Sequence, residues 1–434
     1  MNAGRQGNSV ILRFLSAALK FPPVLPPRAT DERLVLCFGA AMYMLILSAA
    51  PQLLNDPDTL WHIKLGETIV ASGHVPRFDT FSYTMAGADY HDMQWLSQVL
   101  MYLCYRMGGY PAVAVLCAIA AAAAFMILFR ELARRVNELT AFALVGVAFL
   151  LCLTHLLCRP HTLVSPILVP WTACLIRSAE SGRCPPLWLL PLMTLWANMH
   201  ASFLLGLVVI VPFAIEAALR SGQRRATLAA KWVGFGLLAL AASAVSPYGI
   251  EQISAPFRIF DLGSAANLIG EMQPQDFSKL EPFEMVFLLG LAAALLSGVV
   301  VPLTRIAVLL GLLHMALAHM RHADLFGMLG VLVLAEPIAQ RFKENGRHAK
   351  RLAWVRYAVP AVGIAAALQT ALAFQNGAIR PPANIVPEAA FAVARAEGIN
   401  GRLLNDFNFG GYLISIGAPT FIDGRAEMSG VVDH

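Results

Sequence analysis

From residue 34 to residue 375 the chain alternates long apolar runs with short polar connectors. The runs fall near 34–54, 111–129, 139–157, 162–178, 186–199, 201–219, 232–246, 283–301, 303–319, 324–340 and 355–375. A bilayer core asks for roughly 20 apolar residues per helix, so the pattern predicts an all-α polytopic membrane protein with about eleven transmembrane helices. The 186–199 run is short, and 303–319 is joined to its predecessor through Val301-Pro302. Two polar intervals are long, 55–110 and 247–282. Within the first, Asp58–Ser72 reads as an amphipathic helix with Leu60, Ile63, Ile69 and Val70 on its apolar side, and Trp95–Met107 as a second helix at the interface. Ser246-Pro247-Tyr248-Gly249 ends the seventh run. After 375 the chain is less apolar; Arg402–Asn405 and Thr420–Asp423 suggest strands around a helix start at Gly410-Gly411, a small C-terminal α/β segment, 376–434, that reads as incomplete.

Composition agrees with a membrane protein: 58% of the 434 residues are hydrophobic and 14% charged, against about 25% charged in soluble domains. The net charge of +5 does not point to nucleic acid, because the basic residues are spread among the connectors. With residues 1–33 in the cytoplasm, the cytoplasmic segments hold 21 of the 32 Lys and Arg, as the positive-inside rule requires, and an odd number of spans puts 376–434 outside. The first run is long enough to be kept as a helix rather than cleaved as a leader. Nine of the eleven histidines then sit at or beyond the outer ends of spans. The seven cysteines show no CxxC spacing and read as free thiols.

The acids, histidines and aromatics concentrate in 55–95, directly after the first run. Asp56-Pro-Asp58 is a carboxylate pair that can deprotonate a hydroxyl or hold a divalent ion, Mg or Mn; a helix start capped by Asp58 explains the same residues structurally. Arg159-Pro-His161 and Arg321-His322 occupy two tight outer turns. A guanidinium there suits a phosphate, with snorkelling to lipid headgroups as the ordinary alternative. His91, Asp92 and Trp95, together with Asn198 and His200, combine an aromatic face with forked polar groups and can bind a sugar or acceptor; an interfacial belt or a satisfied helix break accounts for them as well. No P-loop, GxSxG or HExxH occurs on a suitable frame.

These motifs, DPDTLWHIKLGETI, GHVPRFDTFSYT, WLSQVLMY, LWANMHASFLLGL, SPYG, HMRHADLFG, NDFNFGGYL and FIDGR, resemble a bacterial branch of the GT-C superfamily of polytopic glycosyltransferases, from about Asn55 to Arg425. The resemblance implies a polyprenyl-phosphate-linked sugar as donor, a glycan, lipid or protein as acceptor, and a site facing outward from a bacterial inner membrane. It assigns Asp56 or Asp58 as base and Arg159, His161, Arg321 and His322 to the donor phosphate. Membrane lipid is a further partner, and a catalytically silent scaffold whose tail recruits polysaccharide-assembly partners is another reading. An O-antigen-type ligase or polymerase using a polyprenyl-pyrophosphate glycan would use the same arginines. A lipid or solute transporter would need charges at mid-depth and repeated halves, whereas the charges here read as lying at one face, with no internal repeat.

Overall fold

The computed structural model describes residues 21, 23–257, 269–342, 355–375, 377, 379–399 and 401–425. Most of segment 1–33, part of the second long interval (258–268) and the end of the tail (426–434) lie outside the described residues.

The helices follow the apolar runs. They are α1 (Glu32–Ser48), α2 (Pro57–Ser72), α3 (Trp95–Ala133), α4 (Glu138–Cys152), α5 (Pro160–Glu180), α6 (Leu189–Met199), α7 (Phe203–Val208), α8 (Ile210–Arg220) and α9 (Arg225–Ser243). The second half adds α10 (Pro282–Ser297), α11 (Leu303–Ala318), α12 (Ala323–Arg341) and α13 (Val355–Gln375), and the tail carries α14 (Glu388–Ala396) and α15 (Gly410–Ser415). Each of the eleven predicted runs contains helix. Seven described stretches are long and apolar enough to cross a membrane, while α6, α10 and α11 are apolar but shorter.

α3 is the centre of the bundle, packed against α1, α2 and α5. Its face of Ala114, Ala118, Ala121 and Phe125 is fully or almost fully buried, since small side chains let neighbouring helices approach closely. At Gly108-Gly109 the helix breaks: Gly109 takes φ 63, ψ −154, a conformation that only glycine adopts without strain. The predicted helix over Trp95–Met107 therefore exists as a separate arm.

Two expectations are corrected. The helix after Asp56 is not an interfacial helix with a single apolar side. Thr59, Leu60, Trp61, His62, Ile63, Leu65, Gly66 and Ile69 are all buried, because α2 is clasped between α3 and α15. Val70, assigned to the apolar side, is exposed. The C-terminal segment, among its described residues, forms no strand: Thr420 makes an isolated parallel bridge with Ser82 of the first long interval. A segment too short to make a sheet of its own has joined its backbone groups to that interval instead.

Candidate active site

Asp56, in extended conformation, caps α2: its carboxylate accepts from the Asp58 amide at 3.3 Å and the Thr59 amide at 3.1 Å. The cap is therefore Asp56, and Asp58 stays available for other partners. The Thr59 hydroxyl lies 3.0 Å from Asp56 Oδ2 and 2.9 Å from the Cys158 carbonyl, and the Cys158 amide donates to the Leu53 carbonyl at 2.8 Å. These contacts draw the turn before α5 onto the start of α2, and Arg159, the residue after Cys158, lands between the two aspartates.

Arg159 Nη2 donates to Asp56 Oδ1 at 2.6 Å and sits 3.0 Å from Asp58 Oδ2, while Nη1 donates to Glu271 Oε2 at 2.6 Å. Arg321 Nη1 stands 3.9 Å from Glu271 Oε1. Glu271 is set by the 269–275 segment, which is sewn to the turn before α12: the Met320 amide donates to the Gln273 carbonyl at 3.0 Å, and His319 Nδ1 lies 2.7 Å from the Met272 carbonyl. Five charged groups from four parts of the chain thus meet in one place. The sequence reading missed Glu271; the signal available was two outward arginines in need of counter-ions and a second long interval rich in acids.

Burial raises the Asp58 carboxyl to about 7, with Asp56 and Glu271 adding to the rise against the opposing pull of Arg159. Glu271 behaves in the opposite way. Burial works against its charge, but Arg159 and Arg321 outweigh it and hold the carboxyl at about 2. Burial, helped by Arg159, keeps the His62 ring well below its ordinary value and neutral; His62 was also missed.

His161 and His200 lie with ring centres 6.1 Å apart, and His161 Nε2 is 2.7 Å from the His155 carbonyl. His322 follows Arg321, with Nδ1 3.3 Å from the Met315 carbonyl. The remaining sugar-site candidates are occupied elsewhere. Trp95 Nε1 donates to Asn198 Oδ1 at 2.8 Å, and the Asn198 amide spends its two hydrogens on the Thr194 and Val245 carbonyls, both at 2.8 Å. Asp92 accepts from Gln98 Nε2 at 2.9 Å, and His91 Nε2 meets Glu251 at 2.8 Å. Polar groups spent in this way join helices, and Asn198 has no hydrogen left for a ligand. Gln98 also lies 3.2 Å from His62 Nδ1, whose ring packs on Trp61 at 3.7 Å between centres, so this joint backs the wall of the site.

A divalent ion between Asp56 and Asp58 does not fit: the Arg159 guanidinium already fills that position. Among the described residues no group of three or more His, Cys, Asp or Glu side chains is placed to hold a metal.

The expectation that charges lie at one face is also corrected. At the opposite ends of the helices, Arg305 on α11 pairs with Glu180 at 2.8 Å and Glu216 at 2.9 Å, all three nearly inaccessible. Arg135 bridges Glu180 and Glu336, and Arg220 joins Glu216 at 3.0 Å. Three arginines and three glutamates neutralise one another there, so the cluster locks helices together instead of lining a path for solute.

The sequence matches no family model and no curated protein. Among solved structures the chain is similar to the oligosaccharyltransferase of Archaeoglobus fulgidus in its apo form, with a TM-score of 0.52 and 10% identity over 90% of this chain and 64% of that one. The likeness is one of fold: the helices of this chain are arranged as in that protein. This chain spans somewhat less than two thirds of the other's length.

Proposed function

We propose that this protein is a GT-C-type glycosyltransferase that moves a sugar from a polyprenyl-phosphate donor to a glycan, lipid or protein acceptor on the extracytoplasmic side of a bacterial inner membrane, with its N-terminus in the cytoplasm and its C-terminal segment outside. The observation that supports it best is the meeting of Asp58, Arg159, Glu271 and Arg321, of which Glu271 also lines a cavity of about 350 Å³. Leu150, Leu151, Leu157 and Phe283 give the cavity apolar walls, and Thr154, His155, Glu271, Gln275 and Glu281 its polar lining. Such a space suits a lipid-borne donor whose charged head must stop at the edge of the bilayer. Its volume is near the lower end of ligand pockets, which favours a single sugar over an oligosaccharide on a pyrophosphate carrier.

Asp58 is the base. A carboxyl titrating near 7 takes a proton efficiently at neutral pH. It removes the acceptor hydroxyl proton as that oxygen bonds to the anomeric carbon and the bond from that carbon to the phosphate oxygen breaks. One displacement inverts the anomeric configuration. Arg159 is committed to three carboxylates and orders them, with Asp56 as its anchor. Arg321, too far from Glu271 for a hydrogen bond, retains capacity for the departing phosphate, with His322 and His161 beside it and His200 toward the sugar. Trp95, Asn198, Asp92 and His91 support the wall.

In cells, Asp58→Asn and Arg321→Ala at normal protein level are expected to lose the surface glycan and accumulate lipid-linked sugar. Intact glycan in both variants contradicts the assignment.

A further inference from the structure

The C-terminal segment reaches the candidate base from the far end of the chain. Asp423 accepts from Arg425 Nε at 2.8 Å and Nη2 at 2.7 Å, and Arg425 Nη1 donates to Asp79 Oδ1 at 2.5 Å. All three side chains are at most 5% exposed. Thr420 completes the clasp: its hydroxyl donates to Asp423 at 2.9 Å, its carbonyl accepts from the Tyr83 amide at 3.0 Å, and its amide donates to the Phe81 carbonyl at 3.1 Å. The Arg425 guanidinium also lies over the Phe81 and Tyr90 rings, 5.2 and 5.4 Å from their centres.

Between the two clasped residues is Gly424. A Cβ there would fall 1.8 Å from Asp58 Oδ1 and 3.1 Å from Trp61 Nε1, the group that donates to Oδ1 at 3.0 Å. Nearby, a Cβ on Gly411 would fall 1.9 Å from the Pro57 carbonyl, so the tail meets the start of α2 at two points. The opposite oxygen of Asp58, Oδ2, faces Arg159 at 3.0 Å.

We propose that Gly424 and Arg425 are positioning residues for Asp58: the Asp79–Arg425–Asp423 clasp seats the Gly424 backbone against Asp58 Oδ1, closes that side of the carboxylate to water and leaves Oδ2 as the oxygen that works. If the triad served only to hold the tail, apolar packing would do so without desolvating three charges. An ion triad fixes register, and here the register sets a glycine on a carboxylate. The inference rests on Asp58 as base. The groups facing Asp58 are Asp56 and Trp61 from the start of α2, Arg159 from the turn before α5, Glu271 from the second long interval, and the Gly424 backbone from the tail.

The test uses the full chain with Gly424→Ala, and Arg425→Lys as a variant that adds no atom beside Asp58. The Asp58 carboxyl is titrated by difference infrared spectroscopy, its band assigned with Asp58→Asn, and donor KM and kcat are measured beside a thermal unfolding curve. Water admitted to Oδ1 lowers the titration midpoint, and displacement of the carboxylate cuts kcat by about 10- to 100-fold while donor KM stays within about twofold. Folded variants with an unmoved Asp58 band and wild-type kcat overturn the proposal. If the wild-type protein transfers no sugar, the transferase reading fails by itself. The infrared midpoint still decides the positioning question, because it needs no turnover.

Discussion

Arg159 gathers three carboxylates, from the start of α2 and from the second long interval. Burial alone would disfavour its charge, and the ring of Asp56, Asp58 and Glu271 holds the guanidinium firmly protonated. Burial, with the charges of Asp56 and Glu271 beside it, makes Asp58 reluctant to ionise in spite of Arg159. The consequence for pH follows from the sign. A carboxyl raised to about 7 is protonated and idle below that value and ionised above it. The rate of transfer, followed as kcat/KM between pH 5 and 9, should climb about tenfold per pH unit below about 7 and level off above it. A flat profile across that range contradicts Asp58 as base. Asp56, Asp58, Arg159 and Arg321 were legible in the sequence because ionised groups at the ends of apolar runs need partners. Glu271 was not, because its place depends on a loop folding back onto the turn before α12. Asn198 and Trp95 were misread because a polar group at a helix break joins helices as readily as it binds a sugar.

Among the elements, α2 shows the limit of periodicity. Its apolar positions were visible, but the number of partners was not, and a helix clasped between α3 and α15 buries residues a surface helix would show to solvent. The arm of α3 was legible as a helix over Trp95–Met107 apart from the run at 111–129, whereas the break itself falls at Gly108-Gly109, which the apolar pattern does not mark. The second charged cluster was hidden because Glu180, Glu216, Arg305 and Glu336 are scattered in sequence and meet only once α5, α8, α11 and α12 are packed. Removing one member leaves its partners buried without compensation, which costs about 3–5 kcal/mol. Arg305→Ala should therefore lower the unfolding temperature in detergent clearly, while replacing Arg305, Glu216 and Glu180 together with apolar residues of similar volume should recover much of the loss. An unchanged melting curve for Arg305→Ala rules out the cluster as a lock.

For the whole molecule, the bundle was legible because a bilayer leaves few choices to runs of this length. In the C-terminal segment the helix start at Gly410-Gly411 was legible and the strands were read wrongly. Its short hydrophobic stretches looked like strands, but with no sheet to join they pair with the first long interval and pack against α2. Residues near 56–58, 159, 271, 321 and 424 share one neighbourhood only because the start of α2, two interhelical turns, a long loop and the tail are folded onto the same face. The opposite face is closed by neutralised ion pairs. Such a division suits an enzyme acting at one membrane surface.

The central claim is tested most directly with the purified protein in liposomes, supplied with a radiolabelled undecaprenyl-phosphate sugar and a hydroxyl acceptor. The expected result is release of undecaprenyl phosphate with formation of an acceptor-linked sugar of inverted anomeric configuration, lost in Asp58→Asn. Transfer by Asp58→Asn at the wild-type rate, or a product of retained configuration, contradicts it.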